Sequence, residues 1–229
     1  MKNILVIGGT KGIGSEVVKH LQGNAVFFTG RNEPDSTHEG TVYLQMDITK
    51  PLPDLSSLPE ILHGLVYCPG SINLKPFARL SEEDFKNDWD VNFFGAVKII
   101  QAVLPRLKMA DSASIVLFST VAVALGMPYH ASVASSKAAL EGLTKSLAAE
   151  FAPKIRINCI APSLTITPLS EKLTNSPEKI DGAAQRHPLK RIGKAEEIAD
   201  LACFLLSDKA SWMTGQILHL DGGLSSIKL

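Results

Sequence analysis

Short apolar runs separated by longer amphipathic stretches recur along the chain. Ile4–Ile7, Ala25–Thr29, Val42–Gln45, Leu65–Tyr67, Ser114–Phe118, Ile155–Ile160 and Gln216–Leu220 have the length and residue types of strands. Several are apolar at consecutive rather than alternate positions, the pattern of strands covered on both faces. Helical periods lie between them at about 13–22, 81–108, 133–151 and 195–206, the second opened by Ser81 with Asp84 three residues on. Strand–helix alternation through the whole chain predicts one α/β domain, a parallel sheet with helices on both sides.

Two connections are too poor in helical pattern to follow this rule. The polar stretch "NEPDSTHEG" between Arg31 and Thr41 has Pro and Gly but no helical period. A parallel crossover usually carries a helix, so the helix after the second strand is expected to be missing or vestigial. Pro51, Pro53 and Pro59 confine any helix before Leu65 to a turn or two.

Composition narrows the partners. The 229 residues are 45% apolar and 20% charged, with 23 basic residues against 23 acidic. That balance offers no basic field for nucleic acid or an anionic membrane. The apolar run in "MKNILVIGG" is too short for a signal peptide or a membrane span. Cys68, Cys159 and Cys203 form no metal-ligand spacing and leave an odd thiol. These features predict a reduced, cytoplasmic protein with no metal site.

The first chemistry-bearing motif is "GGTKGIGSEVVKHL", directly after the first strand. Its glycines suit a dinucleotide loop: one for the tight turn, one for backbone approach to a pyrophosphate, one for close helix packing. The spacing is G-x-x-x-G-x-G over Gly8, Gly12 and Gly14, with Thr10, Lys11 and Ile13 among them. The pyrophosphate then sits at the helix start. A bare ribose is usually held by Asp or Glu at the end of the second strand. Here that end reads Thr29-Gly30-Arg31. Arg31 can grip a 2′-phosphate and Lys11 can add a second cation. The cofactor expected is NADP(H).

Together these features resemble the short-chain dehydrogenase/reductase family over nearly the whole chain. The loop matches T-G-x-x-x-G-x-G except that Ile7 replaces the Thr. "MDIT" matches the family's adenine contact, at Asp47 and Ile48, and "VNFFG" supplies its helical Asn at Asn92. "RINCIAPSLTIT" matches the segment over the nicotinamide, with Pro162, Thr165 and Thr167 in contacting positions and Ser163 in place of a usual Gly. "HPLKRIGKAEEIA" and "WMTGQILHLDGG" complete the C-terminal signature. The resemblance implies a single Rossmann-type, doubly wound parallel sheet of about seven strands in three layers, a small-molecule substrate, and a homodimer or homotetramer.

It also explains a lysine near the positive end of a helix dipole, a poor place for a cation. In the family, the lysine at the place of Lys137 bonds the nicotinamide ribose and lowers the pKa of a tyrosine four residues earlier. A serine thirteen residues before that tyrosine polarises the substrate oxygen. Here the tyrosine position is Val133, and the serine position is Thr120, which keeps the hydroxyl. The usual N-N-A-G after the fourth strand reads "YCPG", placing Cys68, Pro69 and Gly70 where the family backbone passes the cofactor ribose.

Three readings follow. The donor is relocated to Tyr129, beside His130, which occupies the place seven before the lysine where the family's enoyl reductases carry their tyrosine. Alternatively, a carbonyl reductase works with Thr120 or a water held by Asn92 and Lys137. Finally, the protein binds NADP(H) without reacting, as a sensor or an inactive subunit. The first is favoured, giving an NADPH-dependent reductase of a conjugated C=C or a C=O in a small or acyl-type substrate. Its site is Lys137, Thr120, Asn92 and Tyr129. Asp88 and Trp89 are expected on the surface and in packing, and Tyr67 inside the core.

Overall fold

The computed structural model describes residues 1–34 and 36–228. Seven parallel strands form one sheet: β1 (Asn3–Ile7), β2 (Ala25–Gly30), β3 (Thr41–Gln45), β4 (Gly64–Tyr67), β5 (Ala113–Phe118), β6 (Ile155–Pro162) and the C-terminal Ile217–Leu220. A separate two-stranded ribbon pairs β7 (Thr165–Ile166) with β8 (Gly193–Lys194), so the C-terminal strand is β9. The order across the main sheet is β3-β2-β1-β4-β5-β6-β9. The direction of winding reverses between β1 and β4, where doubly wound sheets open a ligand crevice at the strands' carboxyl ends.

Among the described residues eight α-helices flank these strands: α1 (Gly12–His20), α2 (Glu82–Trp89), α3 (Gly95–Met109), α4 (Ala122–Leu125), α5 (Ala131–Phe151), α6 (Glu171–Thr174), α7 (Pro177–Ala184) and α8 (Ala195–Leu206). Alternate strand residues face opposite layers. Leu5 and Ile7 of β1 join a core with Ile99, Val103 and Leu140 of α3 and α5. Ile4 and Val6 join a second core with Val17, Ile198 and Leu205 of α1 and α8. The four residues of β4 and the six of β5 are all buried, as their continuous apolar runs require.

Both shortened connections are present. Residues 31–34 and 36–40 carry no helix between β2 and β3, and only turns fill residues 46–63. Asp35, within the first stretch, lies outside the described residues. The expected helix over 81–108 is divided by one π turn, Asp90–Phe94, between α2 and α3. Its start is a capping box, with Ser81 accepting from the Asp84 N–H and Asp84 accepting from the Ser81 N–H. The polar segment 168–190 folds into α6 and α7, which the sequence pattern did not single out.

The π turn has a visible cause. The Gly95 N–H bonds the Asp90 carbonyl, five residues back, which strips Val91 of its usual helical donor. The Tyr67 hydroxyl donates to the Val91 oxygen instead, at 2.5 Å. Gly95 is needed beside it, since a Cβ there would stand 2.2 Å from the Tyr67 oxygen. Asn92 sits inside this turn and is completely buried.

Candidate active site

The glycine loop joins β1 to α1. Gly8 and Gly12 have φ of +75° and +57°, the left-handed region that glycine enters without strain. Gly14 answers a different constraint: a Cβ there would stand 2.1 Å from the Gly8 carbonyl oxygen. Side chains from two other segments close on the loop. A Cβ at Gly8 would meet Pro69 at 3.2 Å, and one at Gly12 would meet Thr167 at 3.4 Å. The loop, the end of β4 and the segment after β6 therefore frame one cleft at the switch point. Its floor is bare backbone at a helix start, which fits a pyrophosphate.

Thr10 lies over Gly30 at the end of β2, where a Cβ would come within 2.3 Å of its methyl carbon. Arg31 follows directly and is exposed, as is Lys11. Asp47 accepts from the Thr49 hydroxyl and N–H at 2.7 and 3.0 Å. Those two bonds hold its carboxyl below the usual range, with a smaller contribution from Arg31. Ile48 is a core residue whose carbonyl is taken by Lys98 at 2.9 Å. Thr165 is buried, and its hydroxyl donates to the Ser163 carbonyl. Pro162 ends β6 beside them.

Lys137 is 7% exposed. Helix α5 begins two residues earlier than its apolar period suggests, so Lys137 stands in the second turn rather than the first. Its ammonium donates to the Phe118 carbonyl at 2.8 Å. Burial lowers its pKa to about 8, opposed by the neighbouring Cys159, Cys68 and Asp88. Gly70 brings Lys137 and Asn92 together: a Cβ on it would stand 3.5 Å from both Lys137 Nζ and Asn92 Oδ1. Val133, one turn before Lys137, is buried and lines the same cavity as Thr120. The Thr120 oxygen accepts from the Ala122 N–H at 3.3 Å, and its hydroxyl hydrogen has no acceptor among the described residues.

Asn92 is fully engaged. Its amide nitrogen donates to Ser71 Oγ at 2.9 Å and to Ser136 Oγ at 3.1 Å, while its oxygen accepts the Ser71 N–H at 3.1 Å. It thus ties the chain after Gly70 to α5. Ser71 in turn donates to Asp88 Oδ1 at 2.5 Å. Asp88 corrects the sequence reading: it is 2% exposed, not a surface residue. It lies four residues before Asn92 and so on the same helix face. That spacing of two polar residues was the signal available for it.

A cavity of about 900 Å³ opens over this wall, lined among others by Ser71, Thr120, Val133 and Lys137. Helices α6 and α7 contribute Leu173 and Ala183 to its lining, and the turn after α7 contributes His187. His187 is buried, and its Nδ1 bonds the Ala183 carbonyl at 2.8 Å. Nε2 therefore accepts the Ser163 hydroxyl, at 2.9 Å, which fastens this turn to the end of β6. Ser163 and His187 went unread as a pair because 24 residues separate them.

Tyr129 also lines the cavity, but it is 59% exposed. Its φ of +69° is unusual for a bulky residue. Its carbonyl accepts the Lys75 N–H at 3.3 Å. His130 turns its ring back to the Pro128 carbonyl, with Nδ1 donating at 2.7 Å. Cys68 is half-buried by the cavity, and burial pushes its thiol up to about 12 despite Lys137. A thiol held protonated in this way is a weak nucleophile. Tyr67, as expected, is in the core, and burial raises its pKa far above the ordinary phenol range. No group of metal-ligating side chains occurs among the described residues, and no helix there is long and apolar enough to cross a membrane.

Comparison with known proteins identifies relatives of the same fold and family. The family model described as enoyl-(acyl carrier protein) reductase matches residues 8–225. A tropinone reductase homolog of Arabidopsis thaliana is 35% identical over 97% of this chain and 92% of its own length. Among solved structures, 4-hydroxyisoleucine dehydrogenase complexed with NADH superposes with a TM-score of 0.90 at 26% identity, covering all of both chains. ElxO with NADP bound gives 0.87 at 27% identity, over 99% of this chain and all of the other.

Proposed function

The chain belongs to the short-chain dehydrogenase/reductase family of oxidoreductases, and from that premise we propose that it is an NADPH-dependent reductase of a conjugated C=C or a C=O in a small or acyl-type substrate, working with a relocated proton donor. The observation that carries this reading is the placement of Lys137 and Thr120 on the wall of a roomy cavity beside the glycine cradle, with Asn92 buried behind that wall and Val133 where the family's tyrosine belongs. A protein that only bound a nucleotide would need neither the free Thr120 hydroxyl nor the cavity.

Gly8, Gly12, Gly14 and Thr10 would cradle the pyrophosphate, with Pro69, Pro162, Thr165 and Thr167 along the nicotinamide half. Arg31 and Lys11 favour a 2′-phosphate over a bare ribose, and no carboxylate at the end of β2 is present to hold the latter. When bound, the cofactor supplies hydride to an unsaturated carbon. The chain's own groups manage the charge this creates. Thr120 donates its hydroxyl hydrogen to the developing oxyanion. Tyr129, at the cavity mouth, is the displaced acid and a second donor to that oxygen. Lys137 holds the ribose and supplies positive charge, and Asn92 keeps Lys137 and Gly70 in register.

The apolar lining suits an acyl or alkyl body, and conjugated C=C is slightly favoured because an enolate oxygen tolerates a donor displaced from the family's position. A homodimer or homotetramer packed through α5 completes the proposal. The test is NADPH consumption with paired enones and ketones, after thermal-shift comparison of NADPH with NADH. The competing reading, a non-catalytic NADP(H) sensor or inactive subunit, rests on Val133 alone and expects stabilisation by NADPH without turnover.

A further inference from the structure

A buried carboxylate behind the cavity wall has no part in the chemistry above. Asp88 Oδ1 accepts the Ser71 hydroxyl, and Oδ2 has no hydrogen-bond partner among the described residues. Burying a carboxylate with half its acceptor capacity unmatched is unfavourable, and such an atom calls for a reason. Neighbouring charges do not supply one. On its own helix Asp84 is committed to Lys75 and Lys86 to Asp90. Glu82 and Glu83 are exposed in the first turn. From α5, which packs against α2, Lys137 feels the Asp88 charge but gives its hydrogen bond to the Phe118 carbonyl, and Glu141 is occupied by Ser119 at 2.5 Å.

Ser71 connects this carboxyl to the cavity. It lines the cavity, and its backbone and oxygen are both fixed by Asn92. What remains free is the direction of its hydroxyl hydrogen, towards Asp88 or towards a substrate.

Resting on the reductase reading of this site, we propose that Asp88, acting through Ser71, delivers the proton for the reduction in place of Tyr129, which then serves only as a hydrogen-bond donor to the oxygen. In the charged state of the relay, the carboxyl proton lies on Oδ1 and is donated to Ser71 Oγ, so the Ser71 hydrogen points into the cavity. Once the substrate has accepted hydride, the Ser71 O–H bond breaks and a C–H or O–H bond forms on the enolate or alkoxide. The Asp88 O–H bond breaks in turn, and its proton restores the Ser71 hydroxyl. Asp88 is left as a carboxylate accepting from Ser71, which is the hydrogen-bond arrangement observed. The electron pair belongs to the hydride, no residue is oxidised or reduced, and one solvent proton recharges Asp88 in each turnover. The bare Oδ2 suits this cycle, because in the acid form it is a neutral carbonyl oxygen rather than half of a buried charge.

Two readouts test the proposal in wild type, Asp88→Asn, Ser71→Ala and Ser71→Thr. Infrared difference spectra of cofactor-free wild type against Asp88→Asn show directly whether Asp88 carries a proton. The expected result is a carboxylic-acid band, sensitive to deuterium, that gives way to carboxylate with rising pH. In turnover, wild-type kcat falls along that same pH limb. Asp88→Asn and Ser71→Ala lower kcat about 100-fold, lose the limb and leave KM nearly unchanged, and Ser71→Thr restores most of the rate. A carboxylate band at every pH where the wild type turns over overturns the proposal. So does a pH limb that survives in both Asp88→Asn and Ser71→Ala, the mark of a merely structural carboxylate. No turnover by wild type defeats the reductase reading and this inference together, whereas wild-type turnover with unaltered variants defeats the inference alone.

Discussion

The Tyr67 hydroxyl donates to the Val91 carbonyl at 2.5 Å, and this bond supports the π turn that presents Asn92 to the site. A phenol on a central strand thus sets the helix register at a residue 25 positions later. Single π turns of this kind recur at functional sites.

Removing that hydroxyl leaves a buried carbonyl without its donor. Tyr67→Phe is expected to lower stability by about 1–3 kcal/mol, read as a fall in urea midpoint at unchanged slope. Because Asn92 rides on the same turn, turnover should fall more than the fraction unfolded explains. Equal stability and equal rate would show that the π turn holds itself.

The proposed preference for NADPH depends on the corner after β2. Arg31→Asp places a carboxylate where a ribose 2′-hydroxyl would be bound and removes the cation for a 2′-phosphate. The expected outcome is at least a tenfold loss in NADPH affinity, about 1.4 kcal/mol, with NADH binding equal or better. Titration calorimetry with both cofactors decides it, and unchanged NADPH binding would remove Arg31 from the site.

Lys137 makes the protein's stability depend on pH in a particular direction. Its pKa is about 8 in the fold and about 10.4 in an unfolded chain. Between those values the unfolded chain holds the proton that the folded one has lost, so stability rises with pH across that window. Below pH 8 both states are protonated, and burial of the cation costs roughly 3 kcal/mol at about 1.4 kcal/mol per pH unit. Lys137→Met removes that cost but strands the Phe118 carbonyl, worth about 1–2 kcal/mol. The cofactor-free variant should therefore be more stable than wild type at pH 7 by roughly 1–2 kcal/mol. The gap should close and reverse as pH climbs through the window, while turnover is lost at every pH. Denaturant curves at several pH values give the sign.

Tyr129 holds a left-handed backbone conformation, φ +69°, that is strained for a bulky side chain. Tyr129→Gly should relieve about 1 kcal/mol of strain and raise the melting temperature. Tyr129→Phe should keep the strain and lower kcat about tenfold by removing one oxyanion donor. A Phe variant with full activity would reduce Tyr129 to an aromatic wall.

Much of this architecture was legible in the sequence for physical reasons. Continuous apolar runs such as Leu65–Tyr67 and Ser114–Phe118 can be satisfied only between two helical layers, and they form β4 and β5 there. The absence of a helical period between Arg31 and Thr41 corresponds to a crossover whose described residues form no helix. The glycine positions were readable because their constraint is local: a positive φ, or the lack of room for one Cβ. What stayed hidden depends on contacts between distant segments. Asp88 reads as a solvated helix residue until Ser71 and α5 close over it. The π turn leaves no periodic trace, because its cause is Tyr67 on another element. The segment carrying α6 and α7 is polar in sequence, and its fastening by His187 and Ser163 appears only when the chain returns on itself.

Reduction by NADPH in a site without the family's tyrosine has its decisive test in NADPH absorbance decay with purified protein against paired enones and their saturated ketones, after NADPH binding is confirmed by thermal shift. Oxidation of NADPH with the enones, and slower or none with the ketones, is the predicted result. Stabilisation by NADPH with no oxidation against either set would contradict it and leave the fold serving as a nucleotide sensor or an inactive subunit.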